Sequence, residues 1–312
     1  MTVTVYRSTD ISAPVLTGET SKLIDLLHAC LVTGYGSKAA AGWSRAYFDD
    51  PNDTAVFRQG AGSQFYLRVD DGGPGAGTFK EARAVGYESM SGVDTGTAPF
   101  PSVAQAANGV FLRKSAAADA TARAWILVAT AKLFHLFVFT GDTANVASAF
   151  SFGDVYSYKS ADVYSCHISG RSVENTTLAS GETVGTLVTT VAATSAGHYI
   201  ARSYTGIGGS VLVGQHSDYW TASQSQVGAS GGLAYPNPVD GAMLMTPLYL
   251  NEAAAARGTI PGLWNPMHNA AFGLGDTISG VGGLSGRVFE IVAVTVAGSQ
   301  LMLETSDTWT EN

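Results

Sequence analysis

Short runs of β-branched, aromatic and other apolar residues make up most of this chain, and turn residues interrupt them about every 8 to 15 positions. Two of these runs, Ala124–Ala129 and Lys132–Thr140, flank a short break and predict a β-hairpin. Further strands are expected in these segments: Phe150–Ser165, Thr186–Ala192, His198–Tyr204, Ser210–Val213, Met243–Leu250, Val288–Val296 and Gln300–Thr305. Many short strands with frequent turns are typical of antiparallel sandwiches and barrels. Long helices do not alternate with the strands, so a nucleotide-binding α/β sheet is not expected.

One segment has helical rather than strand periodicity. Its apolar residues recur at spacings of three and four and would share one helix face: Leu23, Leu26, Leu27, Cys30 and Leu31. Thr17 or Thr20 is expected to cap the start of the helix. Gly34 and Gly36 are expected to end it, because glycine adopts the left-handed conformation at low cost. We therefore predict a mainly β (α+β) fold of antiparallel sandwich- or barrel-like sheets, with one N-terminal amphipathic helix at about residues 19–33.

A polar stretch, Ser169–Gly185, contains few apolar residues and is the best candidate for a domain boundary. It predicts an N-terminal α+β region at residues 1–170 and a C-terminal β region at residues 171–312. A single continuous domain is the alternative, since a chain of 312 residues is long enough for one large core or for two smaller ones.

The composition implies a surface that is poor in charge. Charged residues make up 13% of the chain, about half of the roughly 25% usual in soluble domains, whereas hydrophobic residues make up an ordinary 46%. Glycine, serine, threonine and alanine, or neighbouring protein, must therefore cover the exterior. A subunit that is packed against neighbours needs less surface charge than a freely dissolved enzyme. The composition thus favours an assembly component over a catalyst.

Charge and hydropathy also bear on the partners. The net charge is −8 and lysine and arginine do not cluster, so direct nucleic-acid binding is not expected. The most apolar stretch, Ala124–Thr140, is short and contains Lys132 and His135, so no membrane span is expected. The first residues lack a basic region followed by an apolar run, and we expect synthesis and assembly in a cytoplasm.

Two glycine-rich segments resemble catalytic or cofactor motifs but lack the context that the chemistry needs. The segment Gly228–Gly232 fits the pattern G-x-S-x-G around Ser230, yet Pro236 and Pro238 follow where a hydrolase would begin a helix. The segment Gly280–Ser285 partly resembles a dinucleotide fingerprint, but a strand is expected after it instead of a helix N-terminus. Both segments are interpreted as loops.

Metal-binding patterns are equally weak. The six histidines are isolated in the sequence: His28, His135, His167, His198, His216 and His268. Cys166 and His167 are neighbours on an expected strand and would point to opposite faces, and Cys30 is expected to be a buried free thiol like Cys166. The segment Asp49–Asp53 is the densest oxygen cluster and is compatible with a weak calcium site or an aspartate-rich turn. We therefore assign no catalytic, cofactor-binding or metal residue, although two distant carboxylates could serve a glycosidase.

Several long stretches resemble a family of tailed-bacteriophage proteins described as virion structural proteins. The resemblance covers nearly the whole chain and is carried by these segments: Leu23–Trp43, Phe57–Gly62, Gln64–Asp71, Gly86–Ser91, Asp94–Thr97, Pro99–Pro101, Leu136–Asp142 and Arg257–Trp264. These motifs are long and specific but carry no known chemistry. The resemblance implies a place in a particle and not a reaction.

Composition and resemblance together lead to one functional expectation with two alternatives. We expect a non-enzymatic structural component of a tailed-phage virion on the tail or head–tail side, in the neck, tail tip or baseplate. Its partners would be other virion proteins and copies of itself in a symmetric homo-oligomer. A capsid decoration or cement protein is the first alternative. A virion-associated glycan-binding or glycan-cleaving protein is the second, because aromatic-rich β structure also suits sugar binding.

Overall fold

A computed structural model describes residues 1–72, 80–142, 147–172, 174, 196–209, 213–217, 235–252, 255–266, 272–280, 282–294 and 300–309. The described residues are mainly β, as predicted, and form antiparallel sheets curled into a half-barrel with a single short α-helix. No helix in these ranges is long and apolar enough to cross a membrane.

The strands, in chain order, are β1 (Thr4–Arg7), β2 (Ser44–Asp49), β3 (Thr54–Arg58), β4 (Tyr66–Asp70), β5 (Glu81–Met90), β6 (Gly96–Phe100), β7 (Val110–Arg113), β8 (Ala124–Ala129), β9 (Leu133–Phe139), β10 (Ala147–Asp154), β11 (Tyr156–Ser157), β12 (Cys166–Arg171), β13 (Ala196–Ile200), β14 (Val213–Ser217), β15 (Met245–Glu252), β16 (Ala255–Pro266), β17 (Thr277–Ser279), β18 (Val288–Val294) and β19 (Gln300–Glu304). The described residues form one sheet of twelve strands in the order β1-β8-β9-β10-β12-β7-β5-β4-β3-β2, with β13 beside β12 and β6 beside β5. A second sheet of seven strands runs β14-β15-β16-β19-β18-β17, with β11 beside β16.

Both predicted hairpins are confirmed. Strands β8 and β9 pair with Ile126 opposite Phe137, and β18 pairs with β19 with Phe289 opposite Glu304. Strand β13 begins two residues before the expected segment His198–Tyr204 and ends at Ile200, so the expected strand is wrong over residues 201–204. Strand β15 begins and ends two residues later than the expected segment Met243–Leu250. The expected strand Thr186–Ala192 lies outside the described residues, as does Ser210–Val213 except for its last residue.

The expected strand Phe150–Ser165 is wrong in its second half. Strand β10 ends at Asp154 and β11 has only two residues. Asp162 then closes a turn, because its carboxylate accepts hydrogen bonds from the Ser157 hydroxyl at 2.6 Å and the Tyr164 backbone N–H at 3.2 Å. Short polar side chains of this kind favour turns over strands.

The predicted helix at about residues 19–33 is present but begins later. Helix α1 spans Lys22–His28, and a π-helical turn continues it to Thr33. Neither Thr17 nor Thr20 caps it; the Leu23 backbone N–H instead donates to Asp71 Oδ2 at 2.8 Å. Gly34 ends the helical stretch with φ at 77°, as expected of a glycine at a helix end.

Helix α1 and the second sheet pack on opposite faces of the first sheet. Strand β9 shows this directly: Phe134 and Leu136 belong to the core beneath the helix. Leu133 and Phe137 belong to the core shared with Leu263 of the second sheet. The alternation follows from the two-residue period of a strand. The fold thus has three layers, of helix, large sheet and small sheet.

The two sheets draw strands from both sides of residue 170. Strand β13 follows that residue and pairs with β12 in the first sheet, while β11 precedes it and pairs with β16 in the second. The division into 1–170 and 171–312 stays a prediction.

Candidate contact surface

Many of the scarce charged side chains lie inside the protein. Glu81 accepts hydrogen bonds from Arg113 at 3.1 Å and from Arg171 at 3.0 Å, and Arg113 also donates to Asp142 at 2.5 Å. Burial raises the pKa of Asp142, but the hydrogen bonds from Arg113 and Thr140 outweigh it, and the net shift is downward. These residues lie on β5, β7 and β12 and in the loop after β9, so the ion pairs connect neighbouring strands.

Two further buried ion pairs connect distant parts of the chain. Lys114 pairs with Asp71 and donates to the Glu19 carbonyl at 2.6 Å, below the start of helix α1. Burial raises the pKa of Asp71 to about 6, against the opposing effect of the Lys114 ammonium. In the second sheet, Arg257 donates to Asp162 at 2.7 Å and pairs with Glu252.

These buried ion pairs reduce the number of charged side chains on the protein surface. Among the described residues, ten charged side chains have 4% or less of their surface exposed: Asp71, Glu81, Arg113, Lys114, Asp142, Asp162, Arg171, Glu252, Arg257 and Glu304. The whole chain has 17 basic and 25 acidic residues, so the exterior is poorer in charge than the composition alone implies.

Large apolar side chains are exposed on three neighbouring loops. We call this surface the loop face and define it by Val103, Tyr158, Val163, Tyr204 and Ile207, each between 53% and 73% exposed. Scattered exposed apolar residues are normal, but several on adjoining loops mark a contact site more often than chance.

Specific contacts hold the three loops together. The Lys159 ammonium donates to the Tyr204 carbonyl at 2.9 Å, and the Ser102 hydroxyl donates to the Gly209 carbonyl at 3.0 Å. Arg202 forms a two-pronged ion pair with Glu88, with both hydrogen bonds at 2.7 Å, and its guanidinium lies 4.2 Å from the centre of the Tyr164 ring. The loop face is therefore a preorganised surface, which lowers the entropic cost of binding.

A groove of about 490 Å³ borders the loop face and shares Tyr158 and Val163 with it. The groove brings together the aspartates of the two Asp-Val-Tyr-Ser tetrads, Asp154 and Asp162. Burial raises the pKa of Asp154, whose two oxygens accept hydrogen bonds from Gln59 at 3.1 Å and from the Ser63 backbone N–H at 2.8 Å. Sequence reasoning could not select this pair of carboxylates, because only the fold shows that they face one groove.

The aspartate cluster at residues 49–53 forms the end of β2 and a short 3₁₀ turn. Asp49 accepts a hydrogen bond from Asn52 at 2.7 Å, and Asp53 accepts one from Ser21. In the part of the chain that the structure describes, no group of three or more histidine, cysteine, aspartate or glutamate residues is arranged to hold a metal ion.

The structure also places most of the other sequence candidates. Cys166 lies in the core beneath the helix, whereas His167 contacts the Ser151 hydroxyl and the Gly153 carbonyl, so the two neighbouring side chains have different surroundings. Cys30 and Cys166 are buried free thiols, and burial raises the pKa of both. The segment after Gly280 forms a 3₁₀ turn that leads into β18. Ser230 lies outside the described residues.

Sequence reasoning missed a buried polar chain between the two sheets. Ser151 Oγ lies 2.9 Å from His135 Nδ1 and 3.0 Å from His167 Nε2, and all three side chains are fully buried. A serine between two histidines resembles a nucleophile with its base, but here none of the three side chains has any surface exposed to solvent. The three residues lie on separate strands, and their pairing follows from the register of β9, β10 and β12.

A scan of known protein-family models finds no match to this chain, and a search of curated proteins finds none either. The loop face and the groove are therefore interpreted from their own chemistry.

Proposed function

We propose that this protein is a structural subunit of a tailed-phage virion, on the tail or head–tail side, and that the loop face is one of its contact surfaces. The proposal rests on an arrangement of side chains that is the reverse of the usual one. Ten charged side chains of the described residues are buried, while large apolar side chains are exposed on adjoining loops. The resemblance carried by segments such as Leu23–Trp43 supports the same role.

The loop face suits permanent contact with protein. Tyr158 and Tyr204 present large rings with polar tips, and residues of this type are enriched at the centre of interfaces. Packing uncharged loops against a neighbour desolvates few ions, so little of the apolar gain is lost. Copies of one subunit that associate in this way form closed symmetric rings in most cases.

Charge introduced into the loop face should exclude the chain from particles. The double variant Ile207→Asp with Val163→Asp, supplied in trans during infection by the source phage, should co-purify with particles at least about tenfold less than wild type, because each buried unpaired carboxylate weakens the contact. The measurement is mass spectrometry of peptides that carry the substitutions.

A matched control lies on the loop after β1. Ile11 and Val15 are 88% and 60% exposed, and neither belongs to the loop face. The variant Ile11→Asp with Val15→Asp should enter particles at the wild-type level. Equal incorporation of the two double variants would show that the loop face makes no contact in the particle.

The groove keeps the glycan-cleaving alternative open to test. A glycosidase needs one carboxyl with a raised pKa and a second carboxylate, and Asp154 and Asp162 share a groove with Tyr158 at its rim. Against this role, protein donors occupy both carboxylates, and the Asp162 side chain is only 2% exposed. Release of reducing sugar from host envelope by the purified protein would favour this alternative over the structural role.

A further inference from the structure

A continuous chain of hydrogen bonds crosses the junction of the two sheets. It runs from the Pro261 carbonyl on β16 through His135 on β9 at 2.7 Å, Ser151 on β10 and His167 on β12 to the Gly153 carbonyl at 2.8 Å. His135 thereby connects the large sheet to the small one.

With both histidine rings neutral, this chain of hydrogen bonds has one hydrogen fewer than it has contacts. Because carbonyl oxygens only accept, His135 Nε2 and His167 Nδ1 must each carry a hydrogen. In neutral rings the two remaining nitrogens are then acceptors, and both face the hydroxyl of Ser151. The four contacts therefore share three hydrogens, and the Ser151 hydroxyl can donate to only one of its two neighbours.

We infer that His135, Ser151 and His167 form a binding site for a single proton at the junction of the two sheets. When His167 takes up the proton, its Nε2–H donates to Ser151 Oγ, and the Ser151 hydroxyl donates to His135 Nδ1. Each of the four contacts then has its own hydrogen.

The order of protonation follows from the surroundings. Burial lowers the pKa of His135 to about 3 and that of His167 to about 4, and the charge of a protonated His167 further lowers the pKa of His135, so we assign the first proton to His167. A second proton would leave the Ser151 hydroxyl without an acceptor in the chain and place two positive charges beside it. It therefore loosens the contact between β9 and β16.

Charged groups on the adjoining elements are engaged elsewhere. Arg171 on β12 pairs with Glu81, Asp154 on β10 accepts from Gln59, and Glu304 on β19 accepts from Trp264. His198 on β13 stands opposite Ser169, and the Trp309 ring lies 6.0 Å from the His135 ring. The proton is thus held by hydrogen bonds and not by a nearby carboxylate.

Proton uptake also sets the sign of the pH dependence. In the unfolded chain both histidines have a pKa of about 6.5. Unfolding therefore takes up protons as the pH falls from about 6.5 toward 4, and the fold loses stability over this range. Below about pH 4 the folded protein binds the first proton as well, and the loss due to His167 levels off.

Nitrogen-15 NMR of the histidine rings of the intact protein tests the site. Between pH 7 and about 3.5 the His167 ring should change to the imidazolium form with a midpoint near pH 4. The His135 ring should stay neutral over this range, with its hydrogen on Nε2. The amide spectrum should stay dispersed, which shows that the protein is still folded. Titration of both rings with one midpoint would overturn the inference. So would two neutral rings down to the pH at which the amide dispersion is lost.

Two serine variants separate the hydrogen-bond chain from simple burial. Ser151→Ala should lower the His167 midpoint by about one pH unit, because the imidazolium loses its acceptor. Ser169, opposite Ser151 on β12, is equally buried and its hydroxyl has no partner among the described residues, so Ser169→Ala should leave the midpoint unchanged. An unchanged midpoint in Ser151→Ala would contradict the inference. If Ser151→Ala does not fold, His135→Asn can replace it, because the asparagine side chain keeps an acceptor for the Ser151 hydroxyl. Loss of the His167 titration in the His135→Asn variant would contradict the inference.

Discussion

Gly262→Ala should lower the free energy of unfolding by about 3–4 kcal/mol, because it combines backbone strain with a clash in the core. Gly262 lies in β16 with φ at 80°, a region that side chains with a Cβ avoid. A Cβ there would lie 2.2 Å from the Trp309 ring, which is 2% exposed and is held by a hydrogen bond to the Glu304 carbonyl. Urea denaturation followed by circular dichroism measures the loss.

Gly275→Ala is the matched control for that substitution. Its φ of 83° imposes nearly the same strain, but a Cβ there meets no atom within 4 Å. We expect a loss of about 1–2 kcal/mol from strain alone. Equal losses in the two variants would mean that the packing of Trp309 on β16 adds nothing to stability.

Arg257→Met should destabilise the protein by about 3–5 kcal/mol at pH 7, since removal of one partner leaves buried charge uncompensated. Arg257 serves both Asp162 and Glu252, and these three side chains are 3% exposed or less. Methionine keeps much of the apolar stem but leaves two buried carboxylates without their cation. Urea denaturation followed by circular dichroism measures the loss.

A partly exposed arginine with a solvent-exposed partner provides the comparison. Arg68 pairs with Asp94 at 2.6 Å, but the Asp94 side chain is 69% exposed and water screens the pair. Arg68→Met should therefore cost less than about 1 kcal/mol. A loss at Arg257 as small as that at Arg68 would show that the buried ion pairs of Arg257 do not stabilise this part of the second sheet.

The parts of the fold that were predictable depend on local sequence. The hairpin of β8 and β9 and that of β18 and β19 join strands separated by a few residues, so apolar runs around a turn suffice to predict them. The pairing of β1 with β8, or of β7 with β12, depends on contacts between distant residues that no local pattern records. Helix α1 begins later than predicted for the same reason. The backbone N–H of Leu23, near its start, donates a hydrogen bond to Asp71, which lies 48 residues away in the sequence.

The candidate site shows the same division. The low charge of the exterior follows from composition, but burial of pairs such as Asp71 with Lys114 does not, because Asp71 is typical of an exposed turn when it is viewed in sequence. The loop face joins residues about 100 positions apart, such as Val103 and Tyr204, so it could not be predicted from the sequence alone. The His135–Ser151–His167 chain depends on strand register in the same way.

Quantitative mass spectrometry of purified phage particles tests the proposed structural role most directly. It gives the number of copies of this chain relative to the major capsid protein. A tail or head–tail subunit in a small ring should be present at roughly 3 to 12 copies per particle, or about one or two per hundred capsid subunits. A ratio near one per capsid subunit would instead identify a decoration protein, and absence of the chain from the particles would contradict the structural role altogether.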